Sequence, residues 1–152
     1  QLLELSRHNA RHPLMLEITE TSLITQMVEV RTYLDLLRTL NYRIAMDDFG
    51  TGYSPLRYLV DLPVDVVKFD ISLVSTLGQD DRAGRVVADF VNMMNDAGYA
   101  LVAEGVETED TLRRVERLGF AHVQGYLLGR PAPLSQFAAR PDTAGSAAPC
   151  RT

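Results

Sequence analysis

The chain has 152 residues, enough for one domain or part of a larger one, and its 46% apolar and 23% charged content suits a globular core with a soluble surface. Its net charge of −5 argues against a broad nucleic-acid surface, and so against a nucleic-acid polymer as partner, but leaves room for a small anionic ligand held by metal ions. No apolar run approaches the roughly 20 residues of a membrane span, no charged-then-apolar leader marks secretion, and the single cysteine, Cys150, can form no internal disulfide, which together fit a cytoplasmic setting.

Residues 14–20 read as a first strand, with Glu17 near its end. The spacing of Leu23, Val30, Leu34, Leu37 and Leu40 predicts a helix over 22–40. A second strand at 43–47 runs into two adjacent aspartates, Asp47 and Asp48, and then Phe49-Gly50-Thr51-Gly52. Neighbouring carboxylates repel, and both stay ionised at neutral pH only if something positive shares their site. At the open end of a strand, before a glycine-rich turn, the pair suggests a divalent-metal site. A turn or cap pair before glycine is the plainer alternative. Ser54-Pro55 opens a short helix, Ser as cap and Pro as first helical residue.

Residues 64–70 predict a third strand. On it Val66, Lys68 and Asp70 share one face, and Val67 and Phe69 the other. A lysine between apolar neighbours is costly unless it faces a polar cavity or a carboxylate, and a simple Lys68–Asp70 pair would also satisfy it. A helix over 82–97 stops at Gly98. Residues 100–104 are a fourth strand ending in Glu104. Thr108 caps the next helix, with Glu109 and Asp110 in its first turn and Gly119 past its end. Residues 121–125 form a short fifth strand carrying Gln124 and Gly125. His8, His12 and His122 read as structural or surface residues. From Pro141 onward Pro, Gly, Ala, Ser and Thr dominate, so 1–139 read as the folded unit and 140–152 as a disordered tail.

Strands alternating with helices imply a parallel sheet covered by helices. An open doubly wound sheet and a (β/α)8 barrel both fit that alternation. The barrel fits better, because Glu17, Asp47/Asp48, Lys68/Asp70, Glu104 and Gln124 each stand at the C-terminal end of a strand, where barrel active sites collect. An open sheet usually brings a glycine-rich phosphate loop, and no G-x-G-x-x-G follows a strand here. Five βα units fall short of eight. The fold class expected is therefore α/β, a partial (β/α)8 TIM-type barrel of about strands 4 to 8, with roughly 90 residues preceding Gln1 in a longer parent chain. Such a piece leaves parallel edges unpaired and is expected to be insoluble or to oligomerise when expressed alone.

Leu16-Glu17-Ile18-Thr19-Glu20, Asp47-Asp48-Phe49-Gly50-Thr51-Gly52, Lys68-Phe69-Asp70, Ala103-Glu104-Gly105-Val106-Glu107-Thr108 and Gln124-Gly125-Tyr126 together resemble the ordered motif set of the EAL domain. That family comprises bacterial phosphodiesterases that cleave cyclic di-GMP to linear pGpG. The resemblance runs over about 14–137. It implies that Glu17 binds one metal ion, that Asp47 bridges two and that Asp48 binds the second, the ions being Mg²⁺ or Mn²⁺. It implies that Lys68 contacts the catalytic water and that Glu104 acts on it, as general base or through the metal. It gives Asp70, Gln124, Gly125 and Pro131 to the substrate side, and makes Glu20 and Glu107 anchors of the Asp-Asp-Phe-Gly loop. Cyclic di-GMP is the implied partner, with a homodimer of the full-length domain and upstream GGDEF or sensory domains, any membrane anchor lying there too.

The chemistry is consistent with these assignments. Phosphodiester hydrolysis needs an activated water and neutralisation of charge on the phosphoryl oxygens, and two metal ions can do both. Oxygen-only ligands suit Mg²⁺ or Mn²⁺. Taken alone, Glu17 also fits a charged strand exit, Gln124 a backbone-satisfying amide, and Glu107 a helix N-terminal charge. The Glu-Ala-Leu strand, the metal-binding asparagine and the phosphate-gripping arginine of the family are expected before Gln1, and Ser54-Pro55 stands where a second serine is common. The isolated chain is therefore expected to be inactive. A catalytically dead cyclic di-GMP receptor or scaffold is the alternative to an enzyme, and the presence of Glu17, Asp47, Asp48, Lys68 and Glu104 favours the enzyme.

Overall fold

Among the described residues, five strands lie side by side in one sheet, all parallel and in chain order. They are β1 (Met15–Thr19), β2 (Arg43–Phe49), β3 (Val66–Phe69), β4 (Ala100–Ala103) and β5 (His122–Val123). The structure, a computed structural model, describes residues 14–19, 27–51, 59–79 and 81–133, the side chains of residues 27 and 28 excepted. Glu20, His8, His12, the helix start at Ser54-Pro55, the boundary at 139 and the tail 140–152 lie outside the described residues. The connections carry helices α1 (Met27–Thr39), α2 (Ile71–Thr76), α3 (Arg82–Asp96) and α4 (Glu109–Arg117). Parallel neighbours need such crossovers, and strands added one after another in a single direction make a segment of a (β/α)8 barrel wall. No helix among the described residues is long and apolar enough to cross a membrane.

Period-two alternation sorts the strand residues onto two faces. Ile44 and Met46, Val67 and Phe69, Leu101 and Ala103 join the main core beneath the helices, where Leu34, Val74, Val91, Met94, Leu112 and Val115 meet them. Leu16 and Ile18 pack against the same core. The other face holds a small cluster of Ala45, Val66 and Val102. Burial on both faces explains why these strands read as nearly continuous apolar runs. Registry places Glu17, Ala45, Val66 and Ala100 in one row across this second face. Asp47 and Lys68 follow two residues further along their own strands, and Glu104 stands four residues past Ala100, just beyond the end of β4 toward the C-terminal rim.

One irregularity decides what that rim can do. Met46 pairs with Val67 and Phe49 with Phe69, so Asp47 and Asp48 together stand opposite the single residue Lys68. Two residues against one is a β-bulge. Asp48 takes a φ of 55°, a left-handed conformation that Asp tolerates better than most side chains. Strict alternation would send Asp48 into the helix-side core. The bulge absorbs one residue instead and returns Phe49 to that core, where its ring lies 5.2 Å from Phe69 and 5.5 Å from Phe90. Each aromatic pair of this kind contributes about 0.5–1.5 kcal/mol beyond its buried area, so Phe49 holds the bulge in place.

The third strand differs from its expected span. It ends at Phe69, and Asp70 is the N-cap of α2, its carboxylate accepting the Ser72 N–H at 2.8 Å. Helix α2 was not legible in Ile71-Ser72-Leu73-Val74-Ser75-Thr76, because β-branched residues and serines have low helix propensity. Tertiary packing decides it: Val74 is buried in the main core. Helix α4 carries the expected cap, Thr108 accepting from the Thr111 N–H, and α3 is capped by Asp81, which accepts from the Gly84 N–H.

Candidate active site

Lys68 is the one buried charged side chain among the described residues, 5% exposed. Its Nζ donates to Asp47 Oδ1 at 2.7 Å and lies 2.9 Å from Glu104 Oε1 and 3.1 Å from Glu17 Oε1. The carboxylates come from β2, from the residue after β4, and from β1. An ammonium has three N–H donors, and here three carboxylates stand ready for them. The expected alternative of a Lys68–Asp70 pair gives way to this arrangement, since Asp70 has left the strand to cap α2. Burial alone would lower the lysine pKa. The hydrogen bonds to Asp47, Glu104 and Glu17 outweigh it and hold the ammonium above its ordinary range. For Glu104, burial raises the carboxyl pKa, Lys68 pulls it back, and the charges of Asp47 and Asp48 push it up again, leaving it above the usual range.

Backbone bonds seat each of these positions. Beyond the regular strands, the Asp70 N–H donates to Phe49 O at 3.3 Å, Glu104 N–H to Phe69 O at 3.1 Å, and Gln124 N–H to Ala103 O at 2.8 Å. The ladder thus continues one residue past each strand and brings polar side chains to a common rim. The Thr51 N–H and hydroxyl both donate to Asp48 O, at 3.2 and 2.9 Å, closing the turn after the bulge.

Asp47, Asp48 and Glu104 each offer a carboxylate oxygen, and these oxygens lie within 4.8 Å of one another. With Glu17 this makes four carboxylates around one ammonium, an excess of negative charge that a divalent cation would balance. The all-oxygen donor set fits a hard cation such as Mg²⁺ or Mn²⁺. Glu17 stands apart from the three: it contacts Lys68, and its side chain is 45% exposed.

A cleft of about 320 Å³ opens beside Glu104, bounded by Asp70, Ile71, Glu107, Gln124 and Tyr126 with Gly105 and Gly125. Asp70, Gln124 and Gly125, read from the sequence as substrate-side residues, therefore share one cavity with Glu104. Pro131 does not line it, and Glu107 does. Gly125 is required by close approach: a Cβ there would meet Val106 O at 2.1 Å. That approach allows the Val106 N–H to reach Gln124 O and the Leu127 N–H to reach Val106 O, both at 3.1 Å. Tyr126, on the rim, carries the Arg130 guanidinium 4.4 Å from its ring centroid. Sequence reasoning missed α2, which borders this cleft through Ile71. The available signal was Asp70 followed two residues later by a serine N–H, an aspartate turn read instead as a strand end.

Fold and rim together define a class: a parallel (β/α) barrel protein with a carboxylate-rich site at the C-terminal ends of its strands. Comparison with known proteins narrows it. The model of the EAL domain matches residues 1–131, and the chain belongs to the EAL domain family. It is 39% identical over 129 residues to the cyclic di-GMP phosphodiesterase PdeL of Escherichia coli, a match that covers 85% of this chain and 36% of PdeL. The chain thus spans about a third of that relative. The EAL domain of Mycobacterium smegmatis DcpA superposes with a TM-score of 0.77 at 35% identity, over 90% of this chain and 63% of that one. A manganese and cyclic di-GMP complex of Klebsiella pneumoniae BlrP1 superposes with a TM-score of 0.70 at 36% identity, over 78% of this chain and 30% of that one.

Proposed function

We propose that the domain containing this chain hydrolyses cyclic di-GMP to linear pGpG with Mg²⁺ or Mn²⁺, and that these 152 residues supply the carboxylate side of the site but do not turn over substrate alone. The observation that carries this reading is the convergence of Glu17, Asp47 and Glu104 on Lys68, with Asp48 turned in by the bulge. The names of PdeL and of the BlrP1 complex support the substrate and the metal. Asp47, Asp48 and Glu104 would hold a cation, and Glu17 would join them once released from Lys68. When bound, divalent cations in such a site activate a water nucleophile and neutralise phosphoryl charge. Lys68 keeps the carboxylates together before the ligand arrives and offers its ammonium to the reacting water or phosphoryl oxygens afterwards. Glu104, its carboxyl raised chiefly by burial, is suited to take the proton of the attacking water. Asp70 and Gln124 present an acceptor and an amide to the edges of a guanine in the shared cleft. Glu20 and Glu107 would steady the loop after Asp48, and Pro131 would border the base. Homodimerisation of the whole domain and upstream GGDEF or sensory domains belong to the same proposal.

The test is chromatography of cyclic di-GMP incubated with the full-length protein and Mn²⁺ or Mg²⁺. Appearance of pGpG, abolished by chelation, is the expected result. Binding without turnover would convert the reading to that of a receptor, and neither binding nor turnover would overturn it.

A further inference from the structure

Helix α2 is only six residues long, yet it rests on both loops that carry the candidate metal carboxylates. Leu73 lies over Gly50, two residues after Asp48: a Cβ on Gly50 would sit 2.2 Å from Leu73 Cδ1. Ile71 lies over Gly105, directly after Glu104: a Cβ there would sit 2.4 Å from Ile71 Cδ1. Both glycines have positive φ, 104° and 66°, so each loop turns sharply beneath the side chain that covers it. The helix is itself fixed at three points. Asp70 caps it, the Asp70 N–H ties it to Phe49 O at the end of the bulge, and Val74 anchors it in the core.

These contacts have a purpose only if the loops need holding. Asp48 occupies a left-handed conformation, and the oxygens of Asp47, Asp48 and Glu104 crowd within 4.8 Å. Strain and like charge both favour relaxation, and a sparsely populated conformation persists only where the surroundings over-determine it. We propose that Ile71 and Leu73 are positioning residues for the metal carboxylates, clamping the Gly50 and Gly105 turns so that Asp48 and Glu104 stay aimed at one point. The proposal rests on the metal-site reading given above. Neither residue touches the reacting groups, and both act through the backbone of a neighbour.

The test uses Leu73→Ala and Ile71→Ala in the full-length protein, with Leu73→Met as the conservative replacement and Val86→Ala, an exposed residue of α3, as control. Mn²⁺ affinity is read by electron paramagnetic resonance, and amide hydrogen exchange is read at Thr51 and Glu104, whose N–H groups bond to Asp48 O and Phe69 O. Loss of a residue that orients metal ligands typically weakens affinity about 10- to 100-fold, and about tenfold is expected for Leu73→Ala, with faster exchange at Thr51 and recovery of both in Leu73→Met. Ile71→Ala should act the same way at Glu104, and Val86→Ala should change neither. Unchanged exchange at Thr51 and Glu104 in the alanine variants would overturn the clamp, as would unchanged Mn²⁺ affinity despite faster exchange. If the unaltered full-length protein binds no Mn²⁺, the metal-site reading fails, while exchange still decides whether α2 holds the two turns.

Discussion

The two faces of β3 are one residue apart in sequence and opposite in character. Val67 and Phe69 enter the apolar core under the helices, and Phe69 touches the rings of Phe49, Phe90 and Phe120. Val66 and Lys68 face the other way, and Lys68 meets three carboxylates. The first face is held by packing, which depends on shape and buried area. The second is held by charge, and its arrangement follows from which groups are ionised. A barrel wall of this kind separates stability from chemistry by side-chain parity alone. Among the described residues, the bulge at Asp47-Asp48 is the one place where parity is broken, and it is broken in favour of the charged face.

The largest effect that would test this division is on the packed face. Phe69→Ala should cost about 3–5 kcal/mol of stability, read by thermal or urea unfolding, because the cavity cannot collapse among three neighbouring rings. On the charged face, Lys68→Met in the full-length protein should lower hydrolysis of cyclic di-GMP by about 10²–10³-fold, the usual range for loss of one preorganised electrostatic group. If Lys68→Met instead unfolds the protein and Phe69→Ala spares it, the two faces do not divide as described. Asp48→Gly keeps the left-handed backbone and removes only the carboxylate. Mn²⁺ affinity should fall about 10-fold or more while the unfolding free energy stays within about 1 kcal/mol of the original.

The smallest effect concerns Asp70, at the border between the faces. Asp70→Ala should cost about 1 kcal/mol as a lost helix cap. Its carboxyl is held below the ordinary value by the hydrogen bonds to Ser72. A lowered folded-state pKa means that this stabilisation is present above the unfolded-state pKa and is lost as pH falls through the folded value. The stability gap between the original and Asp70→Ala should therefore be constant near neutral pH and shrink in acid. A gap independent of pH would show that Asp70 acts without its charge.

Much of this arrangement could be read from the sequence, because alternation and strand-end position are local properties. The order of strands, the spans of α3 and α4, and the gathering of Glu17, Asp47, Lys68, Glu104 and Gln124 at one rim follow from period and spacing. What could not be read depends on tertiary context. Asp48 was expected at the site, but alternation alone would have turned it away, and only the pairing of Met46 with Val67 and Phe49 with Phe69 reveals the bulge. Helix α2 was hidden because Ile71, Val74 and Thr76 are β-branched, and the Asp70 cap and the burial of Val74, not propensity, hold the segment helical. The partner of Lys68 was ambiguous for the same reason. A two-residue spacing suggested Asp70, whereas the true partners lie on three other segments at least 21 residues away in the closest hydrogen-bonded case.

Lys68 is also the only lysine in the chain. Apart from the terminal amine, an acylating reagent therefore has one primary amine to find, and that amine is enclosed by carboxylates and kept protonated. Labelling of Lys68 should be slow in the folded chain and fast once the carboxylates let go. A commonplace amine-modification assay, resolved by mass spectrometry, thus becomes a single-site gauge of whether the acidic cluster is assembled, with no substrate, chromophore or introduced probe.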